Sequence, residues 1–227
     1  MVLAFFDLDK TLLSVNSVSV WVRDEWRHGR LSGWQMLKLI SGLIRYQFGM
    51  NDIEKDIHAG IMRLKGESAA LVAQQIAQFY HSQIKYLYRP GALKALQEHR
   101  QQGHRLVLLT SIFHPLAKMV TAELNLDDCL STTLEIDQEG FYTGKSLGPL
   151  CYGAGKLIHA QKHADQLNIS LSDCVFYSDS ITDLPVFQKV GLPVAVNPDF
   201  RLLRMARSQK WPIVDWGVAA NVKNKTQ

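Results

Sequence analysis

Five short apolar runs, separated by helical patterns, do most to limit what this chain can fold into. They are LAFFD (3–7), RLVLL (105–109), CVFYS (174–178) and the weaker LPVAV (192–196) and PIVD (212–215). A brief continuous apolar run bounded by turn residues reads as a strand buried on both faces, the signature of a parallel sheet. Between the runs lie helical stretches at 91–102, 115–124, 153–167 and 181–190. The first of these stops at Gly103, and the second opens on Pro115, a favoured first-turn residue. Strands alternating with helices of this length imply βαβ units, so the expected fold is α/β with a parallel sheet core. The first run ends on Asp7, the second runs into Thr110-Ser111 and the third into Asp179. Ligands of open α/β sheets bind outside the carboxyl ends of strands, so these polar residues should meet in one crevice.

Two segments interrupt the alternation. Residues 14–88 hold no convincing strand and read as helices at 17–28, 32–48, 51–65 and 68–85. A helical stretch inserted directly after the first strand reads as a cap or lid. The division is therefore a core of residues 1–13 plus 89–227 and a helical cap of 14–88. Residues 131–144 alternate and turn at Glu139-Gly140, which predicts a β-hairpin.

Composition excludes some classes. With 47% hydrophobic and 20% charged residues the chain can bury a core and is no disordered polymer. The net charge of +4 is spread without a basic run; a phosphate-bearing small substrate would account for it as well as nucleic acid would, and an ordinary surface excess accounts for it better than either, so no nucleic-acid partner is expected. Three cysteines without CxxC spacing argue against a disulfide framework and a zinc site, and suit a reducing compartment. The N-terminus lacks a basic leader, and no apolar stretch reaches the ~18 residues of a spanning helix. The expectation is a soluble, cytoplasmic protein.

The chemistry concentrates in Asp7-Leu8-Asp9-Lys10-Thr11, which begins where the first strand ends. Leu8 points away, so Asp7 and Asp9 can address one ligand. The second cluster is Ser178-Asp179-Ser180-Ile181-Thr182-Asp183, whose two acids are at helical spacing. Alone, that pair would read as an N-cap and a surface acid. Four acids from two strand ends are costly to crowd without a counter-ion. Hard carboxylates without His or Cys partners favour Mg²⁺ over zinc. Thr110-Ser111 and Lys156, within GAGK at a helix start, supply hydroxyls, a helix N-terminus and a fixed positive charge for a phosphate.

In this order and placement, the four elements resemble the haloacid dehalogenase superfamily of phosphohydrolases, in motif I (Asp7, Asp9, Thr11), motif II (Thr110), motif III (Lys156) and motif IV (Asp179, Asp183). The helical insert after motif I looks like a type 1 cap, which points to the phosphoserine-phosphatase-like branch, subfamily IB. The resemblance implies a Rossmann-like core and an Mg²⁺-dependent phosphomonoesterase acting on a small-molecule phosphate ester. Asp7 would attack phosphorus and Asp9 would serve as acid and then base. Asp7, the Asp9 carbonyl and Asp179 would hold Mg²⁺, with Asp183 close by or orienting Lys156. Thr110, the Ser111 backbone and Lys156 would grip the phosphoryl oxygens, and Thr11 would support the loop.

Departures bear on substrate. Phosphoserine phosphatases carry a cap glutamate where Asn16 stands here, and a cap arginine where an ungapped reading puts Gly60, with Arg63 nearby. Both losses count against phosphoserine. The motif IV asparagine is replaced by Thr182. Asn16, His114 and Thr182 are candidate substrate contacts. The apolar cap segment 31–48, with Lys38 and Arg45 along it, reads first as core-facing and second as a lipid-facing surface. The less favoured readings are accordingly a lipid-phosphate phosphatase at the membrane surface, akin to those acting on phosphatidylglycerophosphate, and a non-catalytic phosphate-binding module. Transfer of the phosphoryl group to an alcohol also stays open.

Overall fold

The computed structural model describes residues 2–29 and 53–220. The expected helix at 32–48 and its apolar stripe lie outside the described residues.

Six parallel strands form the main sheet: β1 (Leu3–Phe6), β2 (Arg105–Phe113), β3 (Asp128–Thr132), β6 (Val175–Ser178), β7 (Leu192–Val196) and β8 (Ile213–Val214), in spatial order β3-β2-β1-β6-β7-β8. β1 lies between β2, where Phe6 pairs with Leu108, and β6, where Phe6 pairs with Tyr177. The chain steps outward from β1 to β3, then returns to β6 and steps outward again. The switch point therefore falls between β1 and β6, where a crevice opens at the strand ends.

Both faces of the sheet are covered, which explains the unbroken apolar runs. Ala4 and Phe6 pack on one side with α4 (Pro90–Gln101) and α5 (His114–Glu123). Leu3 and Phe5 pack on the other with α6 (Ala154–Gln166), the single-turn α7 (Leu184–Phe187) and α8 (Phe200–Gln209). All four β1 side chains are fully buried. Truncating a core phenylalanine such as Phe5 to alanine costs about 3–5 kcal/mol.

The structure differs from the sequence reading in three places. β2 continues past Leu109 to Phe113 through a register shift, so Thr110 and Ser111 sit in an irregular strand segment instead of a loop. β3, DCLST, is a sheet strand of its own; as a polar edge strand it carries no apolar run. The hairpin is accordingly shorter, β4 (Leu134–Ile136) with β5 (Tyr142–Ser146), turning through Asp137–Gly140. Residues 181–190 break into a tight turn, Ile181–Asp183, followed by α7.

Between β1 and α4 lie α1 (Ser17–Arg27), α2 (Ile53–Arg63) and α3 (Ala69–Phe79), the last followed by a wide turn over Tyr80–Ile84. The chain leaves and re-enters through a short stem, where Leu13 and Tyr88 form an antiparallel bridge and Ser14 N–H donates to the Leu87 carbonyl at 2.8 Å. The segment after α2 docks on the hairpin: Gly66 N–H donates to Tyr142 O at 2.8 Å and Ala69 N–H to Gly140 O at 2.9 Å. A small apolar cluster of Ile61, Leu134, Tyr142 and Leu150 seals this joint. Among the described residues, no helix is long and apolar enough to cross a membrane.

Candidate active site

Asp7 follows β1 directly, and its N–H donates to the Tyr177 carbonyl of β6 at 2.9 Å. That bond places its carboxylate at the mouth of the switch point. The chain then makes one wide turn, Leu8–Leu12, with Lys10 left-handed at φ 57°. The turn brings Asp9 back to the same edge, while Leu8 is buried in the core.

Lys156 reaches the crevice from the first turn of α6. Gly155, just before it, allows that approach: a Cβ there would lie 1.9 Å from the Leu150 carbonyl oxygen. The Lys156 Nζ donates to Asp7 Oδ1 and to Asp183 Oδ2, both at 2.7 Å. Asp183 Oδ2 also accepts from Ser178 Oγ at 2.7 Å. Lys156 and Asp183 are each 2% exposed, so this is an interior network. Burial disfavours the Lys156 ammonium, yet Asp183 and Asp7 outweigh it and hold its pKa above the ordinary lysine range. The amine is charged at every physiological pH.

Asp179 follows β6 and is buried at 7% exposure. Its carboxylate Oδ1 faces the Thr11 hydroxyl at 3.5 Å, and that hydroxyl also lies 3.4 Å from Asp7 Oδ2. One long, shared donor is poor solvation for a buried carboxylate. Burial, with Asp7 nearby, pushes Asp179 well above the usual carboxylate range. Burial likewise raises Asp7, to about 7, with Lys156 pulling the other way. Four carboxylates share one directly bonded ammonium, with Lys10 and Arg89 acting on them from further off, and an additional cation would relieve the acidic nest.

The donors suit a hard cation. Among the described residues no three His, Cys, Asp or Glu side chains lie close enough to enclose a metal on their own. Two carboxylates, Asp7 and Asp179, at the ends of adjacent strands would leave the remaining positions for water. That is the coordination Mg²⁺ prefers.

Asp9 is held differently. Its Oδ1 accepts from the Ser17 N–H at 2.8 Å, and its Oδ2 from Ser17 Oγ at 3.1 Å and Asn16 Nδ2 at 3.2 Å. Burial raises its pKa and the Ser17 donors oppose that rise. Asn16 is also the N-cap of α1, accepting from Ser19 N–H at 3.0 Å. The start of α1 thus grips the second aspartate of the motif.

On β2, Thr110 is buried and lies two residues beyond Leu108, the partner of Phe6. Its Oγ1 accepts from the Ile112 N–H at 3.3 Å, which leaves its own O–H to donate. Ser111, beside it, is exposed. His114 is half-buried with Nδ1 2.8 Å from Ser131 Oγ, and Thr182 Oγ1 lies 3.0 Å from Ser180 Oγ. The structure therefore joins Asp7, Lys156 and Asp183 directly, links Asp179 through Thr11, and sets Asp9 beside them under α1. His114 and Thr182 are taken up by local partners. The sequence reading does not single out Ser17, and it names Ser178 in the second cluster without giving it a role. It also passed over Arg89, which is 6% exposed and donates from Nε to the Lys10 carbonyl at 3.1 Å. Only its place before Pro90, at a helix start, marks it in the sequence.

Comparison with known proteins bears on the family of the chain. The family model for haloacid dehalogenase-like hydrolase matches residues 4–188. The chain is 29% identical over 220 residues to the phosphoserine phosphatase SerB1 of Mycobacterium tuberculosis, spanning 95% of this chain and 71% of that protein. It is 27% identical over 218 residues to the histidinol-phosphatase of Neisseria meningitidis serogroup C, spanning 94% and 98%. A crystal structure of a Bordetella pertussis Tohama I protein of unknown function superposes with a TM-score of 0.83 at 25% identity, over 95% of this chain and 98% of that one.

Proposed function

The chain belongs to the haloacid dehalogenase-like hydrolases, and from that premise we propose that it hydrolyses a small phosphomonoester through a phosphoryl group carried on Asp7. The observation that carries this reading is the buried Asp7–Lys156–Asp183 network, with Asp9 two residues beyond the nucleophile and separately held. A purely structural ion pair would not need two further acids at the same strand ends.

In the first step an Asp7 carboxylate oxygen attacks phosphorus and the bond from phosphorus to the ester oxygen breaks. Asp9 gives its proton to the departing alkoxide. In the second, Asp9, now a carboxylate, takes a proton from water as that water attacks the aspartyl-phosphate, releasing phosphate and restoring Asp7. Lys156, the Thr110 hydroxyl and the Ser111 N–H bind the phosphoryl oxygens, and Asp183 with Ser178 fixes Lys156. Asp7, Asp179 and the Asp9 carbonyl would hold magnesium. The ion supplies the positive charge that lets a phosphate dianion approach the nest.

The segment carried on the stem, 14–88, acts in this reading as the cap that covers the site and selects the leaving group. Asn16, in the place of the phosphoserine-binding glutamate, is already committed to Asp9 and to the α1 cap. The favoured substrate is therefore a phosphomonoester whose recognition does not use a carboxylate or ammonium partner at that position. A panel of phosphorylated metabolites in Mg²⁺, assayed for released phosphate with Asp7→Asn in parallel, tests this. Turnover that persists in Asp7→Asn would overturn the assignment of the nucleophile.

A further inference from the structure

A guanidinium buried to 6% exposure calls for explanation, because removing a charge from water is costly unless something depends on it. Arg89 makes no ion pair among the described residues; its side chain donates to two main-chain carbonyls. The Nε bond goes to Lys10 O at 3.1 Å, and an Nη1 bond goes to Gly217 O. Its own N–H donates to Leu12 O at 2.8 Å. One residue thus grips the middle and the far end of the turn that carries Asp9.

That turn needs holding. Lys10 is a non-glycine residue at φ 57°, a conformation that costs free energy unless its surroundings fix it. Its N–H is tied to Val15 O at 3.0 Å, and its carbonyl is tied by Arg89.

The second anchor of Arg89 is a strap formed by residues 215–219. Trp216 packs against Tyr177 at 5.1 Å and Phe6 at 6.5 Å between ring centroids, and these residues closely precede Asp179 and Asp7. Gly91 N–H donates to Trp216 O at 3.0 Å. A Cβ at Gly91 would fall 2.6 Å from Trp216. Ala219 N–H donates to Ser14 Oγ at 2.7 Å, which ties the strap to the stem. Catalytic turn and strap therefore meet at the Arg89 side chain, and Ser14 ties the strap to the stem.

We propose that Arg89 is a positioning residue for the reaction: by bridging the Lys10 and Gly217 carbonyls it clasps the strap to the catalytic turn and fixes where Asp9 stands relative to Asp7. The inference rests on the phosphatase reading above. Its effect falls on the chemical step, since Arg89 reaches Asp9 only through the backbone and the phosphate ligands sit on other elements. Lysine cannot span both carbonyls with a planar fork, so charge alone does not restore the clasp.

The test measures kcat and KM for an aryl phosphate, together with hydrogen exchange, in the full-length wild type, Arg89→Met, Arg89→Lys and Ser14→Ala. Arg89→Met is expected to lose on the order of 30-fold in kcat with KM changed less than about threefold, as a small displacement of a catalytic group does. Arg89→Lys should recover only a small part of that loss. Peptides covering 8–15 and 214–220 should exchange faster while those of β2 and α6 do not. If Arg89→Met unfolds throughout, Ser14→Ala decides: a smaller kcat loss at constant KM, with faster exchange in 214–220, supports the clasp. Full kcat in Arg89→Met, full rescue by lysine, or unchanged exchange at 8–15 would overturn it. A wild type without turnover would sink the phosphatase reading instead, and the exchange result would still decide whether the clasp exists.

Discussion

Lys156 meets Asp7 across 149 positions of sequence, with Nζ 2.7 Å from Oδ1 and both side chains closed off from solvent. The same ammonium holds Asp183, so one cation is shared between two carboxylates. Structure and the proposed chemistry are joined there, because the group that makes the acidic nest tolerable is the one proposed to receive the phosphate.

Replacing Lys156 by methionine should therefore hurt twice. Two buried carboxylates lose their partner, at a cost of about 3–5 kcal/mol in urea unfolding. Phosphate release should fall by about 10³-fold, the usual loss for an electrostatic anchor of the transition state. Stability unchanged within about 1 kcal/mol would mean that the network is not held as described.

The grip on Asp9 can be weakened in steps. Ser17→Ala removes one of three donors and should lower kcat about fivefold with little change in stability. Asn16→Ala removes another donor and the α1 N-cap, adding a stability loss of about 1 kcal/mol. Steady-state kinetics and thermal melts separate the two effects. Equal kinetics for both variants and wild type would show that Asp9 does not depend on α1.

Glycine substitutions should divide by environment. At Gly155 a new Cβ would meet the Leu150 carbonyl at 1.9 Å, whereas at Gly60 in α2 nothing lies within 4 Å. Gly155→Ala should destabilise by about 3 kcal/mol and disturb Lys156 beside it. Gly60→Ala should stabilise by about 0.5–1 kcal/mol through helix propensity alone. Unfolding curves for the pair check both signs.

His99 gives a pH dependence outside the catalytic groups. Its Nε2 lies 2.8 Å from Tyr177 OH and its Nδ1 2.7 Å from His104 Nδ1, with Phe6 edge-on. Burial first and His104 second lower its pKa below the ordinary histidine value. The unfolded chain then binds the proton more readily than the folded one. His99 thus weakens stability progressively as pH falls below about 6.5, and has no such effect above it. His99→Gln should flatten the fall in stability between about pH 6.5 and 5 relative to wild type. An unchanged slope would contradict this.

Much of this was legible in the sequence because it is local. The run LAFF, buried on both faces, and the acids that follow it declare a strand and a strand-end site within seven residues. Lys156 was marked by its helix start. β3 was not legible: its residues, DCLST, are half polar, and only pairing with β2 makes them a strand. Arg89 was not legible either, because its partners are main-chain carbonyls 79 and 128 positions away, and carbonyls leave no trace in side-chain pattern. The engagement of Asn16 with Asp9 escaped for a similar reason: spacing predicts the cap but not which carboxylate turns back to meet it.

Trapping the phosphoryl group tests the central claim most directly. The protein is mixed with an aryl phosphate in Mg²⁺, quenched in acid within the first turnover, treated with borohydride and digested for mass spectrometry. An aspartyl-phosphate at residue 7 appears as the added mass of a phosphoryl group on the peptide containing LAFFDLDK, or as homoserine at that position after reduction, and both are absent in Asp7→Asn. Turnover with no modification at residue 7, or with the label on another residue, would contradict the account.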